Sequence, residues 1–370
     1  MSDTSTPDYK FEGWLGHSKA DAEGNMQWGH FQPQAWDEDD IDVKIQYCGL
    51  CASDVHTLSE GWSKQDWPIC VGHEIVGTVV RVGQKSGKKF KVGDLVGVGA
   101  QADSCMKCES CEAHSENYCP DVVTTYGGVC CRGNAKGDKT WGGYGNYHRA
   151  RADFAFKIPN GLDPAFAAPL MCGGITVYNP LKLYGAGSPT ARRVGVVGLG
   201  GLGHFAVLFA KAMGAEVTAI SRGEGKKADA EAMGATRFIA TGDDAAAAFA
   251  AHKRSLDLII CTANGNLPLA AYLALLRPGG YFVLVGAAEQ ALALEPLPLL
   301  FGGTHIAGSL VGPPAAIEEM LAFAASTGLK PWIEKRSLRK DANKAIVEQK
   351  AGKAKYRYVF VNEENGGKME

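Results

Sequence analysis

Arg193-Val194-Gly195-Val196-Val197 runs without a break into Gly198-Leu199-Gly200-Gly201-Leu202-Gly203, and an apolar stretch with helical character, 204–213, follows at once. No other feature restricts the fold of this chain as tightly. A buried strand has to turn into a helix within a few residues, and glycines at these spacings permit the turn and the close packing of helix on strand. They also leave backbone N–H groups, at the positive end of the helix, facing any anion placed there. A GxGxxG string alone is a weak signal, but here a second apolar strand arrives on schedule at 216–220. Apolar runs at 194–197, 216–220, 237–239, 257–262, 281–285 and 305–310 alternate with Ala-rich helical segments. That rhythm predicts an α/β region with a doubly wound, six-stranded parallel sheet of the Rossmann type, which binds a dinucleotide by its pyrophosphate.

At 370 residues the chain exceeds one ordinary core, so two domains are expected. Short β-rich runs with Gly and Asp between them, from residue 46 to about 99, predict a compact all-β region ahead of the dinucleotide fold. Trp141-Gly142-Gly143-Tyr144-Gly145 reads as a tight turn between strands. After Pro313 and Pro314 an amphipathic helix is expected to about residue 326, then a final strand at 356–361 and a charged tail that frays. The domain boundaries drawn from these patterns are 1–172 with 313–370 for the first domain, and 173–312 for the second.

A net charge of -2 supplies no basic field for a phosphodiester backbone, so nucleic acid is not an expected partner. No run approaches the roughly eighteen apolar residues of a membrane span, so no membrane partner is expected either. Residues 1–10 are polar and carry no signal-peptide or transit-peptide pattern, so a cytoplasmic protein is expected. In that compartment the 11 cysteines are expected as metal ligands or reduced thiols.

Four of them, Cys105, Cys108, Cys111 and Cys119, have C-x2-C-x2-C-x7-C spacing in a polar loop. Four thiolates so spaced can close a tetrahedron around Zn2+ and leave no position for substrate, which is a structural site. Iron–sulfur ligation is the competing reading. A second set, Cys51, His73 with Glu74, and Cys172, is dispersed in the sequence. Two sulfurs and an imidazole would leave zinc an open position of the catalytic kind. Spacing alone does not bring these residues together.

The end of the second strand distinguishes NAD from NADP, because an acidic residue there binds the ribose hydroxyls of NAD. This chain has Ser221-Arg222, with Lys226 and Lys227 close behind and Glu224 between them. A hydroxyl and several cations suit a 2′-phosphate, so NADP(H) is expected over NAD(H).

Taken in order, Gly49-Leu50-Cys51-Ala52-Ser53-Asp54-Val55-His56, Gly72-His73-Glu74-Ile75-Val76-Gly77, the four-cysteine loop, 170–178 and 198–204 resemble the medium-chain zinc dehydrogenases, most of all their cinnamyl alcohol dehydrogenase branch. The resemblance implies a GroES-like β-rich catalytic domain joined to the Rossmann domain. It implies a catalytic zinc on Cys51, His73 and Cys172, with Glu74 able to approach the metal, and a structural zinc on Cys105, Cys108, Cys111 and Cys119. Asp54 is then the carboxylate that orients His73. Gly198, Gly200, Gly201, Leu202, Gly203, Ser221, Arg222, Lys226, Thr176, Val285 and Gly286 are the residues expected at NADP(H). A homodimer through the Rossmann domains is implied, with 305–310 as the edge strand.

The expected activity is reversible interconversion of primary alcohols and aldehydes, the substrate being a small cinnamyl, aromatic or aliphatic molecule. Ser53 and His56, one helical turn apart, are placed to pass the substrate's proton toward solvent. One departure narrows the substrate. The phenylpropanoid-specific relatives have a tryptophan shortly after the last structural cysteine, where this chain reads Val122-Val123-Thr124-Thr125-Tyr126. Two other readings compete: an NAD-linked polyol or secondary-alcohol dehydrogenase of the same fold, and a zinc-ribbon module that contacts nucleic acid.

Overall fold

In the strand Asp40–Leu50 nearly every side chain is buried, because the strand lies in the middle of a seven-stranded sheet. Ile75–Val82 pairs with it antiparallel along one edge. Along the other edge Tyr147–Arg151 covers its first half and Arg357–Val361 its second. Leu95–Val98 and Ala155–Lys157 extend the sheet on one side, and Ile333–Ser337 extends it on the other. Ile41, Val43, Ile45, Leu50, Ile75, Val79 and Phe360 form the core, onto which the helix Leu338–Lys350 packs Leu338, Ala342, Ala345 and Ile346.

This computed structural model describes residues 7–86, 89–265, 267–287 and 291–370, so the first six residues of the polar opening stretch lie outside it. The chain divides into two units. The first comprises Met1–Cys172, Pro313–Glu318 and Ile333–Glu370, and the second Gly173–Gly312 and Glu319–Trp332.

Three expectations for the first unit change. The region expected to be all β contains a helix, Ala52–Leu58, whose N-terminus is closed by the Asp54 carboxylate accepting the Cys51 N–H at 2.9 Å. Residues 141–145 bend at Gly143 and Tyr144, but their amides bond to residues 70–72 instead of closing a tight turn on themselves. Gly142 N donates to Cys70 O at 2.8 Å, Gly143 N to Gly72 O at 2.7 Å and Tyr144 N to Val71 O at 2.9 Å. Glycine is needed there for close approach, since a Cβ on Gly142 would stand 2.5 Å from the Val71 backbone. The tail does not fray either. Asn365 Nδ2 donates to Asn146 O at 2.7 Å and to Ile45 O at 3.0 Å, and Lys368 N donates to Tyr47 Oη at 2.8 Å.

In the second unit all strand pairs are parallel, in the spatial order Arg237–Ala240, Glu216–Ser221, Arg193–Val197, Leu256–Cys261, Leu276–Leu284, His305–Gly308. Arg193 and Asp257 pin the two central strands at their N-terminal ends. The Asp257 carboxylate accepts from the Arg193 amide at 2.8 Å and from its guanidinium at 2.7 Å. The helix Pro314–Thr327 begins in the first unit and, from Glu319 onward, belongs to the second, whereas the sequence boundaries kept all of 313–370 together. The reason is packing. Tyr178 Oη donates to Glu319 at 2.8 Å, and the Phe323 ring lies 5.6 Å from that of Tyr178 and 6.2 Å from that of Phe209. Among the described residues no helix is long and apolar enough to cross a membrane.

Candidate metal centres and cofactor site

The four-cysteine loop brings its sulfurs together around a point. Sγ–Sγ distances are 3.5 Å for Cys108–Cys111 and for Cys105–Cys119, 3.8 Å for Cys108–Cys119 and 4.0 Å for Cys105–Cys111. All four thiols are free. A tetrahedron with Zn–S bonds of about 2.3 Å has edges of about 3.8 Å, so the loop has the dimensions of a closed zinc site. Backbone amides help to hold the sulfurs: Cys105 N donates to Cys119 Sγ at 3.4 Å, and the Lys107 amide holds the Cys105 thiol down to about 7.

The second set converges as well. Cys51 lies between the central strand and the helix Ala52–Leu58, His73 and Glu74 precede the strand Ile75–Val82, and Cys172 lies in a single π-helical turn, Leu170–Gly174. One donor atom from each of the four lies within 4.8 Å of the others, and all four residues are buried. His73 Nε2 and Glu74 Oε2 have no hydrogen-bond partner among the described residues. Two buried, unsatisfied acceptors beside two thiols form a donor set suited to a cation such as zinc. The Cys172 thiol, hydrogen-bonded to Cys51, holds the Cys51 thiol well below its ordinary range. A metal would take both sulfurs as thiolates.

Glu74 is shared between two roles. Its Oε1 accepts from the buried guanidinium of Arg357, while burial pushes the carboxyl up to about 7 in spite of that cation. Its other oxygen lies against Gly49, and glycine is required there because a Cβ would stand 1.9 Å from Glu74 Oε2. Asp54 Oδ1 lies 3.1 Å from His73 Nδ1, which places the imidazole proton on Nδ1 and leaves the Nε2 lone pair for a metal. Ser53 and His56 lie on the helix Ala52–Leu58. Ser53 Oγ is 3.5 Å from Cys51 Sγ, and the His56 ring stacks on Trp62 with centroids 4.7 Å apart.

In the second unit Gly198 has φ +86, a conformation that favours glycine. A Cβ on Gly203 would stand 1.8 Å from Gly198 O, so the helix Gly203–Ala212 reaches the strand only through glycine. A Cβ on Gly200 would meet nothing within 4 Å. The protein therefore imposes no glycine there by its own contacts, which fits a surface kept open for phosphate. Gly201 and Leu202 complete the turn, and Ser221 ends its strand with Arg222 exposed beyond it. The backbone of this pair is fixed, since Thr241 N donates to Ser221 O at 2.9 Å and Gly242 N to Arg222 O at 2.8 Å. Lys226 Nζ donates to Leu199 O at 2.5 Å, tying the basic segment to the glycine turn. Val285 and Gly286 follow the strand Leu276–Leu284 and donate to Cys261 O at 3.0 and 3.2 Å, and Thr176 is buried in the helix Ile175–Leu183. Gly203→Ala is expected to weaken NADPH binding on the order of ten-fold, because the helix must withdraw from the strand. Fluorescence titration reads this, and an unchanged affinity would show that the turn tolerates a methyl group.

Two family descriptions match the chain in sequence: the alcohol dehydrogenase GroES-like domain over residues 37–160 and the zinc-binding dehydrogenase domain over residues 201–326. An 8-hydroxygeraniol dehydrogenase of Catharanthus roseus is 42% identical and a cinnamyl alcohol dehydrogenase of Rauvolfia serpentina 41% identical, each alignment covering 94% of both chains. The chain belongs to the zinc-dependent medium-chain alcohol dehydrogenases. Within them it falls in the cinnamyl alcohol dehydrogenase-like branch. A cinnamyl alcohol dehydrogenase of Sorghum bicolor superposes with a TM-score of 0.89 at 39% identity, covering 98% of this chain and 99% of that one. An enzyme of the same type from Helicobacter pylori, solved with NADP(H), superposes with a TM-score of 0.85 at 35% identity, over 95% and 98%. As a member of this family the protein is an oxidoreductase that interconverts alcohols and aldehydes, with a GroES-like domain and a Rossmann domain.

Three residues that meet the second cluster in this alcohol dehydrogenase were not singled out as site residues from the sequence. Arg357 is 2% exposed and pairs with Glu74. A lone arginine in the apolar run Tyr356-Arg357-Tyr358-Val359-Phe360 was a usable signal, because a buried charge needs a partner. Tyr126 Oη lies 3.2 Å from His73 Nδ1, and Tyr144 Oη donates to Asp54 at 2.7 Å. Nothing in the sequence around either tyrosine marks that contact.

Proposed function

We propose that this alcohol dehydrogenase interconverts primary alcohols and aldehydes with NADP(H), that Cys51, His73 and Cys172 hold its catalytic zinc with Glu74 in reach, and that Cys105, Cys108, Cys111 and Cys119 hold a structural one. The observation that carries this reading is the convergence of two thiols with the unsatisfied His73 Nε2 and Glu74 Oε2 in one buried place. A zinc ion there supplies Lewis acidity toward the substrate oxygen, and NADP(H) supplies or takes the hydride. The chain's own residues do the rest. Asp54 fixes the His73 tautomer, the Ser53 hydroxyl takes the proton of the alcohol or returns it to the nascent alkoxide, and His56 carries it outward. Arg357 keeps Glu74 from presenting an uncompensated charge.

The first unit is read as the catalytic domain, and the second as the NADP(H) domain holding the cofactor on Gly198, Gly200, Gly201, Leu202, Gly203, Thr176, Val285 and Gly286. The relatives' names support small cinnamyl, aromatic or terpenoid alcohols as the substrate class, and the cofactor in the Helicobacter pylori structure supports NADP(H). Ser221, Arg222 and Lys226 are the 2′-phosphate contacts in this reading. A homodimer through the second units fits the strand His305–Gly308 at the sheet edge and the exposed Leu297, Leu300 and Phe301 beside it in sequence. A cytoplasmic location fits the free thiols.

The test is a panel of aliphatic, aromatic and cinnamyl aldehydes followed by NADPH absorbance, with NADH in parallel. Zinc-replete protein that oxidises NADPH with no member of the panel would end the proposal. Arg222→Asp is expected to raise the NADPH KM by about ten- to a hundred-fold, the worth of a charge-assisted hydrogen bond. The NADH KM should hold or fall, and an unchanged ratio would remove Arg222 from the cofactor site.

A further inference from the structure

Asp54 is fully buried, and four donors converge on its carboxylate. Oδ1 accepts from Gly72 N at 3.1 Å and lies 3.1 Å from His73 Nδ1. Oδ2 accepts from Cys51 N at 2.9 Å and from Tyr144 Oη at 2.7 Å. A carboxylate has about four lone-pair sites, so this one is saturated. Two of the donors are the backbone of Cys51 itself and of the residue before His73. The carboxylate therefore ties together the two chain segments that carry those residues. Of these four donors only Tyr144 comes from outside those segments; the Tyr126 hydroxyl, 3.2 Å from His73 Nδ1, also approaches the carboxylate.

Tyr144 is itself placed with little freedom. Its amide is bonded to Val71 O at 2.9 Å, and its ring lies edge-on to Phe360 with centroids 4.9 Å apart. The ring also presses on Gly72 so closely that a Cβ there would stand 2.5 Å from it. We infer that Tyr144 is a positioning residue for the catalytic metal: its hydroxyl anchors Oδ2 of Asp54, and this fixes Oδ1 where it holds the His73 Nδ1 proton and so aims Nε2. The short O–H···O contact is of the charge-assisted kind, stronger than a neutral hydrogen bond. Without it Oδ2 keeps only the Cys51 N–H, the carboxylate is held less tightly about its Cβ–Cγ bond, and the hold on His73 loosens. The inference rests on the reading of Cys51, His73 and Cys172 as ligands.

Tyr144→Phe keeps the ring and removes only the hydroxyl. Zinc affinity, measured on the full chain by competition with a chromophoric chelator, is expected to fall about ten-fold at one of two sites, in line with other outer-shell partners of metal-binding histidines. The second zinc, on the four cysteines, should titrate as in the wild type. In an Asp54→Asn background the same substitution should add little, because the hydroxyl then has no carboxylate to anchor. Equal zinc affinity with and without the hydroxyl, additive losses in the two backgrounds, weakening of both zinc ions, or a failure of Tyr144→Phe to fold would each overturn the inference. A wild-type protein that binds a single zinc, on the four cysteines alone, would instead overturn the ligand reading beneath it.

Discussion

Cys51→Ala is expected to cut turnover by roughly a thousand-fold or more while the affinity for NADPH stays within about three-fold of the wild type. The first figure follows from the several kcal/mol that a Lewis-acid metal contributes to a developing alkoxide, at about 1.4 kcal/mol for each factor of ten. The second follows from the layout of the chain. Cys51 belongs to the first unit, while the glycine turn and the Ser221–Arg222 pair belong to the second. Removing Cys51 also leaves Cys172 without its hydrogen-bond partner, in a site where Glu74 Oε2 is already unsatisfied. Of the three proposed ligands only His73 and Cys172 then remain, one fewer than catalytic zinc sites use. Elemental analysis should find one zinc where the wild type has two. Wild-type turnover by Cys51→Ala, or loss of NADPH binding in step with activity, would show that Cys51 is not a ligand of the reacting centre.

What the sequence disclosed and what it withheld divide along physical lines. The dinucleotide fold was legible because its requirements are local. Gly198 needs positive φ, Gly203 must approach Gly198 O, and both constraints act within six residues of the chain. The structural cysteine set was legible for the same reason, since four ligands within fifteen residues can be recognised from spacing. The second metal set spans residues 51 to 172 and became visible only through likeness to a family. Its supports were hidden more deeply. Arg357 reaches Glu74 across 283 positions and Tyr144 reaches Asp54 across 90, contacts that no local pattern encodes. In the Trp141–Gly145 segment, which bends at Gly143 and Tyr144, glycine has a second use. Besides easing the bend, the absence of a side chain on Gly142 lets one backbone lie against another. The boundary at residue 319 was missed because one continuous helix, Pro314–Thr327, serves both units, and amphipathic periodicity does not reveal which neighbour each stretch faces.

Cys108→Ser should act on stability far more than on chemistry. The loop from Cys105 to Cys119 buries little apolar surface: Met106 is 42% exposed and Tyr118 50% exposed, and the residues it does bury include the polar Glu116 and Asn117. Its side-chain ties to the neighbouring segment include Gln101 Nε2 donating to Glu116 O at 2.8 Å and Cys111 Sγ donating to Ser104 Oγ at 3.4 Å. A metal held by four thiolates therefore replaces a hydrophobic core, and its binding free energy is folding free energy. Losing one thiolate is expected to cost about 3–5 kcal/mol, as for the loss of a disulfide cross-link of comparable constraint. For a unit of this size that corresponds to a fall of roughly 10 °C in the unfolding midpoint. The difference should shrink when the wild type is stripped with a chelator, because both chains then lack the same clamp. At low temperature the folded fraction of Cys108→Ser should turn over aldehyde at close to the wild-type rate, since its second metal set is untouched. A variant that unfolds at the wild-type temperature but has lost turnover would mean that the two zinc ions have exchanged roles.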